Sequence, residues 1–455
     1  MDRLSANDLT TLATDRGPAP MHIAAVLVVD PPAHGPCPEA ADVARLLGRR
    51  VVEVPRLRQR LHRAPVGLGR PYWVDDTGFD VGRHLHVHAA EGLEGLLGLA
   101  AEVVCRPLPR DRPLWAAHWV TGVGSGRCAL VVVVHHVVAD GIGGLAVLRS
   151  LADPPTPDPL PPDAAPSTRD AVPPDAGVSS RVIRPTPRAP TRRDLARDAW
   201  AQRAASVRAL PRQVVLAVSG LRALGVGHPR LVARTSLNRP TGPTRRIGVV
   251  DRSLEEVAAA AHHLGCTVND LVVTAVGGAL VDVLDRRGER VGELVVSVPY
   301  SARRATTARD LGNTSGVVPF RVPGSGADAR DRLRRVHAQS AAQLDRPRAA
   351  SAAPLGLAFR WLAQLGIFAW FIDRQRLVTT FVTNVHGPTE RLRLGGCEVS
   401  QVVPVAVTPG NTTVTFDVLS YAGRLCVTVV ADPAAVPDRE HLTTRVGARL
   451  DELTG

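Results

Sequence analysis

Short valine-rich runs alternate along the chain with longer stretches in which apolar residues recur three and four positions apart, a rhythm that predicts strands interleaved with amphipathic helices. In the first half it places a helix over Leu4 to Thr14 capped by Ser5, a strand over Met21 to Asp30, and an arginine-rich helix over Glu39 to Arg63. Phe79 to His88 reads as a strand and Glu91 to Cys105 as an amphipathic helix. Trp115 to Val120 and Arg127 to His136 read as a hairpin joined across Gly122-Val-Gly124-Ser-Gly126, with a short helix from Gly143 to Leu151 beyond it.

The pattern then stops. Asp153 to Asp194 is dominated by proline, alanine, aspartate and arginine, cannot build a core, and reads as a flexible linker. It divides the chain into an N-terminal domain over 1–152, a linker over 153–194 and a second domain over 195–455. The second domain opens with a helix from Leu195 to Leu210 stopped by Pro211, whose arginine-bearing face suits a neighbouring helix or an anionic membrane. Ser253-Leu-Glu-Glu256 opens a helix that Gly265 closes, and Thr267-Val-Asn269-Asp270 opens a very apolar one to Leu284. Asn269 and Asp270 either cap that helix or shape a site. Leu294 to Tyr300 reads as a strand and Asp328 to Leu344 as a helix. Leu355 to Ile372, with Trp361, Phe368, Trp370 and Phe371, reads as a helix buried in the core or lining an acyl tunnel. Strands return at Thr379 to Asn384, Glu398 to Val407 and the hairpin Thr412 to Asp432, and a helix over Asp438 to Leu453 ends the sequence. The fold class is α/β, with mixed sheets flanked by helices.

One stretch carries chemistry. Ala129 to His136 is a run of β-branched residues ending in two histidines, followed by Asp140-Gly141 and a segment of small residues. Strand side chains alternate faces, so one histidine is structural and the other reaches a cleft at the end of the strand, where a rigid support meets substrate as a general base requires. His84, His86 and His88 also share a strand face. With no carboxylate or cysteine at useful spacing they read as a polar face in preference to a metal site.

Composition narrows the chemistry. All 55 basic residues are arginine, which excludes Schiff-base catalysis, a pyridoxal phosphate anchor, a P-loop and a Ser-x-x-Lys acylase. A net charge of +12 with only 4% aromatic residues favours a polyanionic substrate such as coenzyme A, or anionic lipid, over nucleic acid. The six cysteines are scattered without a C-x-x-C pair, as expected of a reduced compartment. No apolar stretch reaches the ~20 residues of a membrane span, and the first residues lack a hydrophobic signal core, so a cytoplasmic protein is expected.

Taken together, Leu4-Ser5 with Asp8, Pro20-Met21-His22, Arg112-Pro113-Leu114-Trp115, the H-H-x-x-x-D-G of His135 to Gly141, Asn269-Asp270, Val298-Pro299 with Ser301 and Arg303, Gly312-Asn313, and Thr383-Asn384-Val385 with Gly387-Pro388 resemble the bacterial wax ester synthase/acyl-CoA:diacylglycerol acyltransferase family nearly end to end. The H-H-x-x-x-D-G alone is shared with chloramphenicol acetyltransferase-like enzymes and peptide-synthetase condensation domains. The resemblance implies two chloramphenicol-acetyltransferase-like domains with a tunnel between them, His136 as general base beside His135, and Asp140 holding the turn through an ion pair. It also implies that Gly141, Pro113, Leu114, Trp115, Asn269, Asp270, Asn313 and Asn384 shape the substrate site. Arg303 and Arg304 are assigned either to coenzyme A phosphates or to surface charge. Ala116 stands where an acidic residue is common and His386 where the motif usually has proline, departures that bear on the acceptor.

The implied reaction passes a long acyl chain from acyl-CoA, a co-substrate with no bound cofactor or metal beside it, to diacylglycerol or a fatty alcohol, with peripheral contact at a membrane or lipid droplet. Two alternatives are a natural-product acyl or peptidyl transferase using a carrier-bound donor, and a non-catalytic lipid-binding protein that keeps the fold.

Overall fold

The computed structural model describes residues 2–15, 19–154, 190–223, 231–301, 315–344, 362 and 366–455. The first half runs α1 (Ala6–Thr14), β1 (His22–Val29), α2 (Ala40–Val51), β2 (Gln59–His62), β3 (Tyr72–Asp75), β4 (Leu85–Ala89), α3 (Gly92–Cys105), β5 (Trp115–Thr121), β6 (Cys128–His135) and α4 (Gly141–Leu151). The second runs α5 (Arg192–Ala223), β7 (Arg246–Ser253), α6 (Leu254–His263), α7 (Val268–Arg286), β8 (Glu293–Ser301), β9 (Ser315–Pro323), α8 (Ala329–Leu344) and α9 (Phe368–Ile372). It ends with β10 (Thr380–His386), β11 (Arg393–Leu394), β12 (Cys397–Val405), β13 (Val414–Tyr421), β14 (Arg424–Ala431) and α10 (Arg439–Thr454).

Capping sets several of these boundaries. Ser5 and Asp8 form a reciprocal capping box at the start of α1, and Thr267 and Asp270 form another at α7. The long helix expected over Glu39 to Arg63 is cut short, and this is a correction. Pro55 disfavours helical geometry at Val54, so α2 ends at Val51, a 3-10 turn covers Pro55–Arg58, and Gln59–His62 becomes β2. Pro211, expected to stop a helix, lies inside α5 instead: a proline removes one backbone bond, but the residues beyond it, Arg212-Gln-Val-Val-Leu-Ala-Val, are mostly compatible with helix and the element continues to Ala223. Gly366, at φ 74°, separates α9 from whatever precedes it, and Trp370 on α9 is 62% exposed, so the described end of the Leu355 to Ile372 stretch is not buried all round. Trp361 lies outside the described residues, as do residues 155–189 of the proline-rich segment.

Two six-stranded sheets organise the molecule, in the orders β11-β12-β1-β6-β5-β4 and β7-β14-β13-β10-β8-β9. Both are mixed, with β4 parallel to β5 and β10 parallel to both β8 and β13. The division at the proline-rich segment is not a division between sheets. After leaving the second sheet through β10, the chain returns β11 and β12 to the edge of the first, where β12 pairs antiparallel with β1 from Ala24↔Val405 to Val29↔Val399. Nothing in the alternation of 393–405 distinguishes the two destinations, because either sheet would bury such a strand.

Three apolar clusters hold the layers. The second sheet packs on α7, whose residues from Asp270 to Val281 are all buried. The first sheet is covered by α2 and α4 on one face and by α3 on the other, where Ile247, Cys426 and Val430 of the second sheet join it. Buried on both faces, β6 can be apolar at every position before His135, with four consecutive valines. Among the described residues no single helix is long and apolar enough to cross a membrane, and the bent pair α6 and α7 that passes by composition includes the buried core helix α7.

Where β10 and β13 run out, Gly387 donates its N–H to the Ser420 carbonyl at 2.8 Å, and a β-carbon on Gly387 would run into that same oxygen. Gly387→Ala therefore forces the two strands apart and should lower stability by about 1–3 kcal/mol, read as a lower urea midpoint with an unchanged slope.

Candidate active site

The two histidines at the end of β6 part company as strand geometry requires. His135 is the last strand residue, opposite His22 of β1, and their rings meet edge to face at 5.6 Å. Both of its nitrogens are committed: Nδ1 accepts the Val137 N–H at 3.1 Å, and Nε2 lies 3.1 Å from Asp15 Oδ2. Nε2 thus carries the hydrogen and the ring cannot turn. His22 is held likewise, its Nδ1 donating to the Val104 carbonyl at 3.0 Å; burial pushes its pKa down to about 4, so it is neutral.

Asp15 closes this group. Burial alone would raise its pKa, but the hydrogen bond from His135, with the Met21 N–H at 3.0 Å, outweighs burial and holds the carboxyl at about 2. Arg110 pairs with the same carboxylate. Asp15, His22, Arg110, Leu114 and His135 line a cavity of about 190 Å³ on this side of the strand.

His136 begins the turn and points elsewhere. Its N–H still donates to the Met21 carbonyl at 2.8 Å, which fixes the backbone, while the half-buried side chain leaves the ladder. Burial lowers the pKa of His136, opposed by its own backbone and by the charges of Asp140 and Asp8. Its Nδ1 is buried with no hydrogen-bond partner among the described residues, and a neutral imidazole keeps a bare lone pair on one of its two nitrogens. That is the form a general base needs.

The turn is rigid on its far side as well. Asp140 caps α4, its carboxylate accepting the Gly143 N–H at 2.9 Å and its carbonyl the Gly144 N–H at 2.6 Å. At Gly141 a β-carbon would sit 3.1 Å from Val385 Cγ2 and 3.7 Å from Thr383 Cγ2, so the start of α4 lies directly against β10. Glycine there lets the two halves of the chain close around the turn that carries His136.

The other expected residues fall into separate places. The Leu114 carbonyl accepts the His135 N–H at 3.0 Å, and Trp115, preceded by Pro113, is buried with Nε1 donating to the Leu57 carbonyl at 2.8 Å and its ring stacked on His84 at 4.4 Å. This segment braces β6 from behind. Asn384 donates to Asn269 Oδ1 at 3.4 Å, and Asp270 receives His337 Nδ1 at 3.0 Å besides capping α7, so these three tie α7 to its neighbours. Arg303, Arg304 and Asn313 lie outside the described residues. His84 leaves the histidine row for Trp115, while His86 and His88 both meet the buried His118, the latter at 3.0 Å. Among the described residues no group of three or more His, Cys, Asp or Glu is arranged to hold a metal.

The sequence matches the wax ester synthase/diacylglycerol acyltransferase catalytic domain over residues 4–272 and the C-terminal domain of the same enzymes over residues 311–454. The chain belongs to this family. A probable diacylglycerol O-acyltransferase of Mycobacterium tuberculosis is 28% identical over 423 residues, which cover 90% of this chain and 86% of the relative. The wax ester synthase/diacylglycerol acyltransferase of Marinobacter aquaeolei VT8 has a similar fold, with a TM-score of 0.69 at 21% identity over 99% of this chain and 98% of that one. The first condensation domain of the calcium-dependent antibiotic synthetase also shares the fold, with a TM-score of 0.62 at 20% identity over 100% of this chain and 96% of that one. The protein is therefore an acyltransferase built on two mixed six-stranded sheets flanked by helices.

Two residues that touch this turn carry little mark in the sequence: Asp15, against His135, follows α1 with no local pattern, and Thr383, against Gly141, is distinguished only by the motif around it. Because the folded pKa of Asp15, about 2, lies below its ordinary 3.8, its stabilising contribution is complete above 3.8 and is lost as pH falls through about 2. Asp15→Asn should cost about 1–3 kcal/mol at neutral pH and flatten the acid limb of the stability curve, as measured by urea unfolding across pH.

Proposed function

We propose that this acyltransferase moves a long-chain acyl group from acyl-CoA to a lipid hydroxyl, with diacylglycerol the principal acceptor and fatty alcohols a second class. The observation that carries this reading is the state of His136: a ring that burial keeps neutral, mounted on a turn locked on one side by His135 and Asp15 and on the other by Asp140. The family match and the likeness to a probable mycobacterial diacylglycerol O-acyltransferase support the acceptor class.

In this mechanism the acceptor hydroxyl gives its proton to His136 Nε2 as its oxygen attacks the thioester carbonyl. The new C–O bond forms while the carbonyl electrons move to oxygen. Collapse of that oxyanion breaks the C–S bond, and the imidazolium returns the proton to the departing thiolate. The proton balance closes on one residue, so no acyl-enzyme is needed. A net charge of +12 supports attraction to coenzyme A phosphates and to anionic lipid surfaces, and we place the enzyme in the cytoplasm, peripheral to such a surface.

Free-thiol release from palmitoyl-CoA, with the lipid product identified, tests the reading. With diacylglycerol or hexadecanol present the wild type should release thiol, and His136→Ala should lower the rate by about 10²–10⁴-fold. No acceptor-dependent release from the wild type would exclude free acyl-CoA as donor and leave a carrier-bound one. Since burial lowers the His136 pKa, kcat/KM should fall on acidification with a midpoint below 6.5, and a midpoint above that value would contradict the buried neutral base.

A further inference from the structure

Sheet two carries one carboxyl group that neither the fold nor the chemistry so far requires. Asp417 lies on β13, a central strand flanked by β10 and β14, opposite Thr383 on one side and Thr428 on the other. Its neighbours Phe416 and Val418 point into the core under α7. Alternation turns Asp417 the other way, to the face on which Leu419 and Tyr421 pack with Val137, Val138 and Ala139 of the catalytic turn.

Asp417 is 8% exposed, and among the described residues no arginine or histidine forms an ion pair with it. The Thr383 hydroxyl donates to its carboxyl, and burial raises its pKa to about 7. One hydroxyl satisfies one of the roughly four sites a carboxylate offers. Thr383 is also the residue whose methyl lies 3.7 Å from the β-carbon position of Gly141. Asp417 therefore stands one side chain away from the helix that follows His136. A buried, underbonded carboxyl beside the catalytic turn is expensive to keep and useless for packing, since an apolar residue of the same size would fill the space at lower cost.

We propose that Asp417, oriented by Thr383, selects the acceptor by hydrogen-bonding a second oxygen next to the attacking hydroxyl, and so favours a glycerol-type alcohol over a simple long-chain alkanol. This rests on the acyl-CoA reading above. An alkanol has one oxygen, which His136 engages, and would lay methylene groups against the carboxyl. A diacylglycerol brings ester oxygens close to its free hydroxyl, and a carboxyl near its midpoint at neutral pH donates to or accepts from either kind. A site built to bond a substrate oxygen rejects the analogue that lacks it, because its own polar group is then left unpaired.

The test compares kcat/KM for dioleoylglycerol and for hexadecanol, with palmitoyl-CoA in mixed micelles, in the wild type, Asp417→Asn, Asp417→Leu and Thr383→Val. Asp417→Leu should lower the diacylglycerol-to-alkanol ratio at least ~10-fold, about 1.4 kcal/mol. Thr383→Val should lower it less, and Asp417→Asn, which still hydrogen-bonds, should stay within about threefold of wild type. A ratio unchanged in Asp417→Leu and Thr383→Val, or equal losses with both acceptors, overturns the proposal and makes Asp417 a structural residue. Failure of either acceptor to stimulate thiol release by the wild type overturns the acyl-CoA reading, and the selector with it, a result distinguishable from an active enzyme with an unmoved ratio.

Discussion

The contact on which the site depends is the one between Asp15 and His135, 3.1 Å apart. A buried imidazole with a free nitrogen would either rotate or draw in water. Here one nitrogen accepts the Val137 N–H, the other faces a carboxylate, and that carboxylate is fixed in turn by the Met21 N–H and by Arg110. The backbones at Met21 and Val137 are thereby pinned at a point where two strands end together, and His136 inherits a fixed position from them. His136 is positioned by main chain, with its own N–H on the Met21 carbonyl, so its place does not depend on a side-chain partner to the imidazole.

The second constraint is topological. By returning β11 and β12 to the first sheet, the chain stitches its two halves together, so the gap between sheets cannot open as it might between domains joined by one tether. The contact of Gly141 with Val385 and Thr383 then becomes a fixed distance. Coenzyme A and a lipid are both long, and transfer between them requires the attacking oxygen to meet one carbonyl within ångströms. A rigid join beside the base serves that requirement better than a hinge, whose cost in lost alignment would be large.

Much of this was legible in the chain. The valine run of β6, the paired histidines and Asp140-Gly141 announced a buried strand ending in histidine at a capped turn, because period, burial and capping are all local properties. Where local signals conflicted, the reading failed: Pro55 cut a helix that hydrophobic spacing alone continued, while Pro211 did not stop one. Long-range choices left no mark. Asp15 is an ordinary acidic residue after a short helix, and only the tertiary fold brings it to His135. The destination of 393–405 is equally silent, since a strand pattern specifies a buried face and not the sheet that buries it.

The same reasoning separates the polar residues that hold this fold from those the fold merely tolerates. Asp140, Asp270 and Asp8 are buried, but each caps a helix and so replaces hydrogen bonds that the backbone needs. Asp15 is buried against a histidine and an arginine. Asp417 has none of these compensations: it sits mid-strand, where the backbone ladder is complete without it, and meets a single hydroxyl. Strand β13 is otherwise apolar, hydroxyl-bearing or aromatic, and a valine at 417 would suit both flanking strands. A carboxyl at that place, on the face turned toward His136's turn, is what a binding requirement leaves behind when folding alone would have removed it.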